Sequence, residues 1–383
     1  MRVAVLRERR AAETRVAATP ETVKKLQALG CSVAVEAGAG LASGIPDAAY
    51  KDAGAEIAAD AAAALNGAAI VLKVRAPLGT GEGAVDELSL IPRGALLIGT
   101  LQADKAMAET YAQLGIDACS MELLPRITRA QSMDVLSSQA NLAGYRAVIE
   151  AASTFDRGFP MLMTAAGTIP AANVFIMGAG VAGLQAIATA RRLGGRVSAT
   201  DVRPAAKEEI KSLGASFVGY EDEESKAAQT AGGYAKQLSA NFYAKQAEVV
   251  AAHIAKQDIV VTTALVQGRK APTLVTEAMV ASMKPGSIIV DIASDAGGNV
   301  ALTKPGEMVV TEGGVKILGY TNWPGRISGA SSALYARNLL TFLTTFWDKE
   351  AKAPKLPDGD DIVKGVALTR GGAVVHPSFV APA

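Results

Sequence analysis

The stretch Asn173-Val-Phe-Ile-Met-Gly178-Ala-Gly180-Val-Ala-Gly183-Leu-Gln-Ala-Ile-Ala-Thr-Ala-Arg-Arg-Leu193-Gly-Gly195-Arg-Val-Ser-Ala-Thr-Asp201 sets the fold class. Asn173–Met177 is a short apolar run that predicts a strand, and Val181–Leu193 predicts a helix stopped by Gly194-Gly195. Between them Gly178, Gly180 and Gly183 have the spacing G-x-G-x-x-G, after a strand and opening a helix, the context that gives the motif meaning. The first glycine suits a tight turn and the second lets a pyrophosphate approach the backbone. The third allows close helix–strand packing, and the helix N-terminus at Val181 faces the phosphates. Arg196–Thr200 predicts the next strand, ending in Asp201, about 20 residues on, where a carboxylate meets the adenosine ribose. Asp201 favours NAD over NADP because it repels a 2′-phosphate. Arg203, just past Val202, leaves a second reading open, since a guanidinium could hold a phosphate, lie over the adenine or face solvent.

Outward from this unit the rhythm continues. Lys207–Leu213 predicts a helix, and Ser216–Gly219, Ile259–Thr262 and Ser287–Ile292 predict strands, near-continuous apolar runs as buried parallel strands require. Towards the N-terminus, Arg2–Leu6, Ser32–Glu36, Ile70–Val74, Ala95–Ile98 and Asp117–Ser120 predict strands. Pro20–Leu29, capped by Thr19, and Asp104–Leu114 predict helices among them. This is β-α-β alternation without nucleotide glycines. Ser137 to about Phe155 and Ser332–Trp347 predict long helices, and the tail Ile362–Thr369, Arg370-Gly-Gly372, Ala373–His376 has the outline of a hairpin. The expectation is an α/β protein of two Rossmann-like domains, each a mostly parallel sheet flanked by helices, with a cleft between them. The expected boundaries are 1–136 with 328–383, and 137–327.

Composition fits this architecture. The chain has 383 residues, two to three domains' worth at about 100–200 residues each. Half of them are hydrophobic and 38 are glycine, which excludes a disordered chain. A formal net charge of +1 provides no basic field for nucleic acid. Cys31 and Cys119 offer at most one bridge and no metal-ligand cluster, and a reducing compartment is expected. The apolar stretch at the N-terminus is too short for a signal-peptide core. No charged residue occurs from Gly158 to Ala190, a length that invites a membrane span. Pro160, Pro170, Asn173, Gln185 and the glycines argue for a buried core instead, and no direct membrane insertion is expected.

A second polar cluster lies at Pro125-Arg126-Ile127-Thr128-Arg-Ala-Gln131-Ser132-Met133-Asp134-Val-Leu-Ser137, where the first domain hands over to the second. Arg, Gln, Asp and Ser this close together suit a ligand. A solvated loop whose Asp134 or Ser137 caps the following helix is the competing explanation. The two histidines, His253 and His376, sit beside no motif, and there is no nucleophile elbow or phosphate loop ending in Gly-Lys-Ser/Thr.

Over nearly its full length the chain resembles the NAD-binding first component of proton-translocating NAD(P) transhydrogenases, which shares its fold with alanine dehydrogenase. The resemblance is carried by Arg15-Val-Ala-Ala-Thr-Pro20, Pro125–Asp134, Asn141-Leu-Ala-Gly-Tyr-Arg146, Gly178–Gly183, Gly232-Gly-Tyr-Ala-Lys236 and Thr262-Thr-Ala-Leu265. It implies that Arg126, Gln131, Asp134 and Ser137 surround the nicotinamide end, within a loop including Ile127, Thr128, Ser132 and Met133. It implies that Gly180, Val181 and Asp201 to Arg203 hold the pyrophosphate and ribose. Gly233 and Tyr234 would belong to a loop closing over the nucleotide, and Leu265 would lie near it.

The resemblance further implies a homodimer working with NADP(H)-binding and membrane-spanning partner subunits. Hydride would pass directly between NAD(H) here and NADP(H) on the partner, Si face to Re face, coupled to proton translocation. The chain would then be cytoplasmic, peripheral on the inner face of the bacterial plasma membrane through its partners, and fused relatives would continue beyond its length. Hydride exchange between two nicotinamides needs no general acid or base, only two rings held at reacting distance in a dry site. Alanine dehydrogenase is the alternative, because Arg15, Lys73 and Asp295 match part of that family's substrate site. Its histidine is absent from Gly99-Thr-Leu-Gln-Ala103, and reductive amination needs an acid/base group near the reacting carbon. A non-catalytic NAD(H)-sensing protein would use the same glycines and Asp201.

Overall fold

The computed structural model of the chain describes residues 1–224, 238–265 and 270–380. The chain divides into two compact units, Met1–Gln139 with Gly325–Ala383, and Ala140–Pro324.

The first unit is built on strands β1 (Arg2–Val5), β2 (Ser32–Glu36), β3 (Glu56–Ala58), β4 (Ile70–Arg75), β5 (Leu96–Thr100) and β6 (Asp117–Ser120). They form one parallel sheet in the order β3-β2-β1-β4-β5-β6. Successive residues of β1 divide between two core clusters, Val3 and Val5 to one and Ala4 to the other. Both faces are therefore buried, which is why these strands are apolar runs rather than alternations. The sheet is flanked by helices α1 (Pro20–Ala28), α2 (Asp47–Asp52), α3 (Ala61–Leu65), α4 (Glu87–Leu90) and α5 (Lys105–Leu114). Helix α1 starts where Thr19 and Thr22 form a reciprocal cap and Pro20 takes the first position.

Helix α6 (Val135–Thr154) carries the chain from the first unit into the second. There the charge-free run resolves into separate pieces: a hairpin of β7 (Leu162–Thr164) and β8 (Gly167–Ile169), then β9 (Asn173–Met177), the glycine turn and helix α7 (Val181–Arg192). Among the described residues no helix is long and apolar enough to cross a membrane. The sheet of this unit adds β10 (Arg196–Thr200), β11 (Ser216–Phe217), β12 (Ile259–Thr262), β13 (Ile288–Asp291), β14 (Met308–Val310) and β15 (Lys316–Leu318). Its order is β11-β10-β9-β12-β13-β15-β14, parallel except for the edge strand β14. Helices α8 (Pro204–Ser212), α9 (Ala240–Ile254) and α10 (Glu277–Ser282) accompany it. Val174 and Ile176 enter one core cluster and Phe175 and Met177 another, so β9 too is buried on both faces.

The chain returns to the first unit through helix α11 (Ser328–Thr345), a short hairpin of β16 (Trp347–Asp348) and β17 (Ala353–Pro354), and helix α12 (Asp361–Val366). The tail keeps the expected hairpin turn at residues 370–372, but the stretch before it is a helix. Ile362–Val366 is helical because Asp360 caps it, its Oδ1 accepting the Ile362 and Val363 N–H groups, while Ile362, Val363 and Val366 are buried. Only β18 (Thr369–Arg370) and β19 (Ala373–Val374) form the hairpin.

Candidate dinucleotide site

The glycine turn of the second unit can be read atom by atom. Gly178 has φ +105°, a conformation that favours glycine, and a Cβ there would lie 2.5 Å from Thr263 Oγ1. A Cβ on Gly183 would lie 1.8 Å from the Gly178 carbonyl oxygen, so the third glycine is fixed by the packing of α7 on β9. Gly180 differs: a Cβ there would meet nothing within 4 Å. No contact among the described residues requires a glycine at this position, and it leaves backbone open to whatever approaches from outside. Gly180 is also the N-cap of α7 and, lacking a side chain, leaves the first-turn N–H groups without a side-chain acceptor. These residues therefore fit a pyrophosphate, held by main-chain donors at the positive end of a 12-residue helix. Val181, in the first turn, is exposed.

Asp201, at the end of β10, closes the other side of the turn. Its Oδ2 accepts the Ala179 N–H at 2.7 Å and Arg203 Nη2 at 3.0 Å, and its Oδ1 accepts the Arg203 N–H at 2.8 Å and Nε at 2.9 Å. The hydrogen bonds to Asp201 raise the Arg203 guanidinium above its ordinary pKa. Asp201, Val202, Arg203, Lys207, Tyr220 and Phe242 help line a cavity of about 400 Å³, a volume in the range of small-ligand sites.

Two further contacts support this turn. Gly144 on α6 lies against the first turn of α7, where a Cβ would sit 2.0 Å from the Ala182 carbonyl oxygen. Asn141, one turn earlier, donates to Gln185 Oε1 at 3.2 Å. The second support is Asn299, which is fully buried. Its Oδ1 accepts the Ala264 N–H at 3.0 Å, and its Nδ2 donates to the Ala264 and Pro272 carbonyls at 2.9 and 2.8 Å. Asn299 thereby ties together the two stems of the segment after β12. Its own N–H is held by the buried Asp291, whose carboxylate takes five donors from Thr262, Ala293, Asn299, Val300 and Thr303. Thr263 on the same stem donates to the Gly178 carbonyl at 3.1 Å, and Leu265 beyond it is 57% exposed. Gly233 and Tyr234 lie outside the described residues.

Arg126, Ile127, Thr128, Gln131, Ser132, Met133, Asp134 and Ser137 belong to the first unit. Ala130 and Met133 anchor a short 3-10 turn in the core, and Asn338 Nδ2 donates to the Ser132 carbonyl at 2.9 Å. Arg126, Gln131 and Ser132 are thereby presented at the surface, with Ile127 and Thr128. Asp134 accepts the Ser137 N–H at 2.9 Å and the Ser137 hydroxyl at 2.5 Å, so it does cap the start of α6. His253 is half-buried, its Nε2 2.8 Å from Ser198 Oγ and its ring edge-on to Phe175, and burial lowers its pKa.

Comparison with known proteins shows the family of the chain. Residues 4–143 match the family model described as alanine dehydrogenase/PNT, N-terminal domain, and residues 147–377 match its C-terminal domain. The chain belongs to the alanine dehydrogenase/PNT family. It is 53% identical over 381 residues to the first of the separately named pieces of the NAD(P) transhydrogenase alpha subunit of Rhodospirillum rubrum, covering 99% of each chain. A solved transhydrogenase structure from Sinorhizobium meliloti matches with a TM-score of 0.87 at 52% identity, over 98% of this chain and 100% of that one. Alanine dehydrogenase of Bacillus subtilis is 31% identical over 341 residues, 87% of this chain and 82% of that one.

The residues that the resemblance matched to the alanine dehydrogenase substrate site have internal partners here. Lys73 is 1% exposed, and its Nζ lies 3.1 Å from Glu87 Oε1 and 3.3 Å from Glu8 Oε2. Arg15 is buried with its Nε and Nη2 on the Glu13 carboxylate, at 2.8 and 2.7 Å, and its Nη1 on Gln139 Oε1 at 2.9 Å. Burial pushes the Glu8 carboxyl up, against the pull of Lys73. Burial also works to raise Glu13, but the hydrogen bonds and charge of Arg15 outweigh it and hold that carboxyl below its usual range. Asp295, in the other unit, is exposed and accepts the Asn322 N–H at 2.9 Å.

Proposed function

We propose that this chain is the NAD(H)-binding component of a proton-translocating NAD(P) transhydrogenase. The observation that carries the reading is the 53% identity, end to end, with a transhydrogenase alpha subunit. The open backbone at Gly180, next to the Ala179 N–H that Asp201 holds, supports it from the side of the structure. In this reading the N–H groups of the first turn of α7 hold the pyrophosphate, and Asp201 to Arg203 receive the adenosine ribose. Arg126, Gln131, Asp134 and Ser137 orient the nicotinamide within the Ile127–Met133 loop, Leu265 borders it, and Gly233 and Tyr234 close over it. Bound NADH supplies a hydride to NADP⁺ on a partner domain. The chain's own residues need neither donate nor accept a proton; their work is to fix the ring and exclude water. Proton translocation then belongs to a membrane-spanning partner, and the chain acts as a homodimer on the cytoplasmic face of the membrane.

Alanine dehydrogenase activity is disfavoured because Arg15 and Lys73, the cations a carboxylate substrate would use, already hold Glu13, Glu8 and Glu87. The test mixes the chain with NADH, an oxidised NAD analogue and an NADP(H)-binding partner domain and follows hydride exchange. Exchange that depends on the partner is expected, and NADH formation from L-alanine and NAD⁺ by the chain alone would overturn the reading. Gln131→Asn and Asp134→Asn are expected to slow exchange at least tenfold, about 1.4 kcal/mol of barrier, while changing NADH affinity less. An unchanged rate in both would show that this loop does not orient the ring.

A further inference from the structure

At the adenosine end, a cation suited to phosphate sits directly on the carboxylate assigned to the ribose. Arg203 places both Nε and Nη2 of its guanidinium fork on the two oxygens of Asp201. The same planar fork fits a phosphate as well as a carboxylate. The neighbouring cation is treated alike: Lys207 Nζ lies 2.7 and 2.8 Å from the two oxygens of Glu221. Both pairs line the same cavity, together with Asp222 and Glu223, so acidic groups outnumber basic ones among the described residues that line it.

We propose that the Asp201–Arg203 pair is a charge latch that sets the preference of this site for a free ribose 2′-hydroxyl over a 2′-phosphate, Arg203 being a phosphate ligand held out of use by Asp201. The proposal rests on the dinucleotide reading above and deepens it. Asp201 takes four N–H donors, two of them main-chain groups, from Ala179 and Arg203, that fix the carboxylate in place. A carboxylate offers about four acceptor sites, so its capacity is filled. A ribose hydroxyl enters by replacing a guanidinium contact while the two main-chain bonds stay. A 2′-phosphate must instead draw the guanidinium away from Asp201 and remain beside the uncompensated carboxylate. Asp201 thus acts twice against NADP(H), by repulsion and by occupying the guanidinium beside it that would neutralise the phosphate.

The test measures binding of NADH and NADPH by nicotinamide fluorescence at fixed ionic strength, in the full chain. The parent chain is expected to bind NADH at least tenfold more tightly than NADPH. D201S, which removes the latch, is expected to weaken NADH and to tighten NADPH by about tenfold to a hundredfold, the size of a charge-assisted hydrogen bond or two. Adding R203A to D201S is expected to abolish that gain. D201N guards against a merely disturbed turn and must move the NADPH-to-NADH ratio in the same direction. A gain of equal size with and without R203A would overturn the latch, leaving repulsion by Asp201 as the whole effect. If the parent chain binds neither nucleotide, the dinucleotide reading fails and takes the proposal with it; NADH binding with an Arg203-independent gain overturns the latch alone.

Discussion

Both sheets place their first strand, β1 or β9, at the centre, with the second and third on one side and the fourth and fifth on the other. In such sheets the turn after the first strand sits where the strand order reverses, the position that commonly binds ligands. The two units then diverge. After β9 three glycines bring the chain straight into α7 and leave the backbone at Gly180 open. After β1 the chain takes a longer path to α1 through Arg7, Glu8, Arg9, Arg10, Glu13 and Arg15, and these charges meet one another and the ends of neighbouring strands. The carboxylate ending the second strand is common to both: Glu36 accepts the Arg7 N–H at 2.9 Å as Asp201 accepts that of Ala179 at 2.7 Å. One topology therefore leaves an open backbone turn in one copy and an ion cluster in the other. What differs is whether the turn is left empty, which is a property of side chains and not of fold.

The comparison can be broken most directly at Lys73. Lys73→Met leaves Glu8 and Glu87 buried without their shared cation and is expected to cost about 3–5 kcal/mol of stability in urea denaturation. A loss below about 1 kcal/mol would mean that the filled turn does not depend on its charges. In the open turn, Gly183→Ala forces α7 away from the Gly178 carbonyl and is expected to cost about 1–3 kcal/mol, as overpacking does. Gly144→Ala pushes on α7 from the opposite contact and should follow it in urea denaturation.

Glu13→Gln removes the counter-charge of Arg15, with an expected loss of about 1–3 kcal/mol at neutral pH. Because the Glu13 carboxyl is held below its usual range, its contribution is present above the unfolded carboxylate pKa of about 4.3 and is lost as pH falls through the lower folded value. The gap between variant and parent should therefore narrow as pH falls below about 4; a gap that stays constant would remove Glu13 from the network. The smallest stability effect, under about 0.5 kcal/mol, is expected for Gly180→Ala, since its Cβ enters open space. The same variant should weaken NADH at least tenfold by fluorescence titration, because the methyl group stands where a pyrophosphate approaches. If stability falls and affinity does not, Gly180 is structural and the contrast between the two turns disappears.

Much of the second unit was legible in the sequence. Asn173–Met177, Arg196–Thr200 and Ile259–Thr262 are strands over the residues their apolar runs predict, because a strand buried on both faces must be apolar throughout. The glycine turn was legible since turn, close approach and packing each demand glycine at a fixed spacing. Asp134 could be read as a cap or as a ligand; the structure shows the hydrogen bonds of the cap, which do not exclude a ligand contact. Less was legible where the signal lies far away in the chain. The helix at Asp361–Val366 depends on an Asp360 cap and on burial in a core built by residues hundreds of positions earlier. What Gly144 and Asn299 support is visible only beside Ala182, Ala264 and Pro272. Arg203 permitted three readings until its fork was seen on Asp201.

The sequence by itself determined the alternation of strands and helices, the glycine turn and the carboxylate after it. These are local: each follows from dihedral freedom, side-chain size and burial within a few neighbouring residues. Only the tertiary structure decided which charges neutralise one another. Lys73 could have offered a free cation to a substrate, and it is Glu8 and Glu87, brought to it by the loop after β1 and by α4, that use it up. Opposite charges far apart in sequence find their partners only when the chain packs, because removal from water makes an unpaired charge too costly to keep.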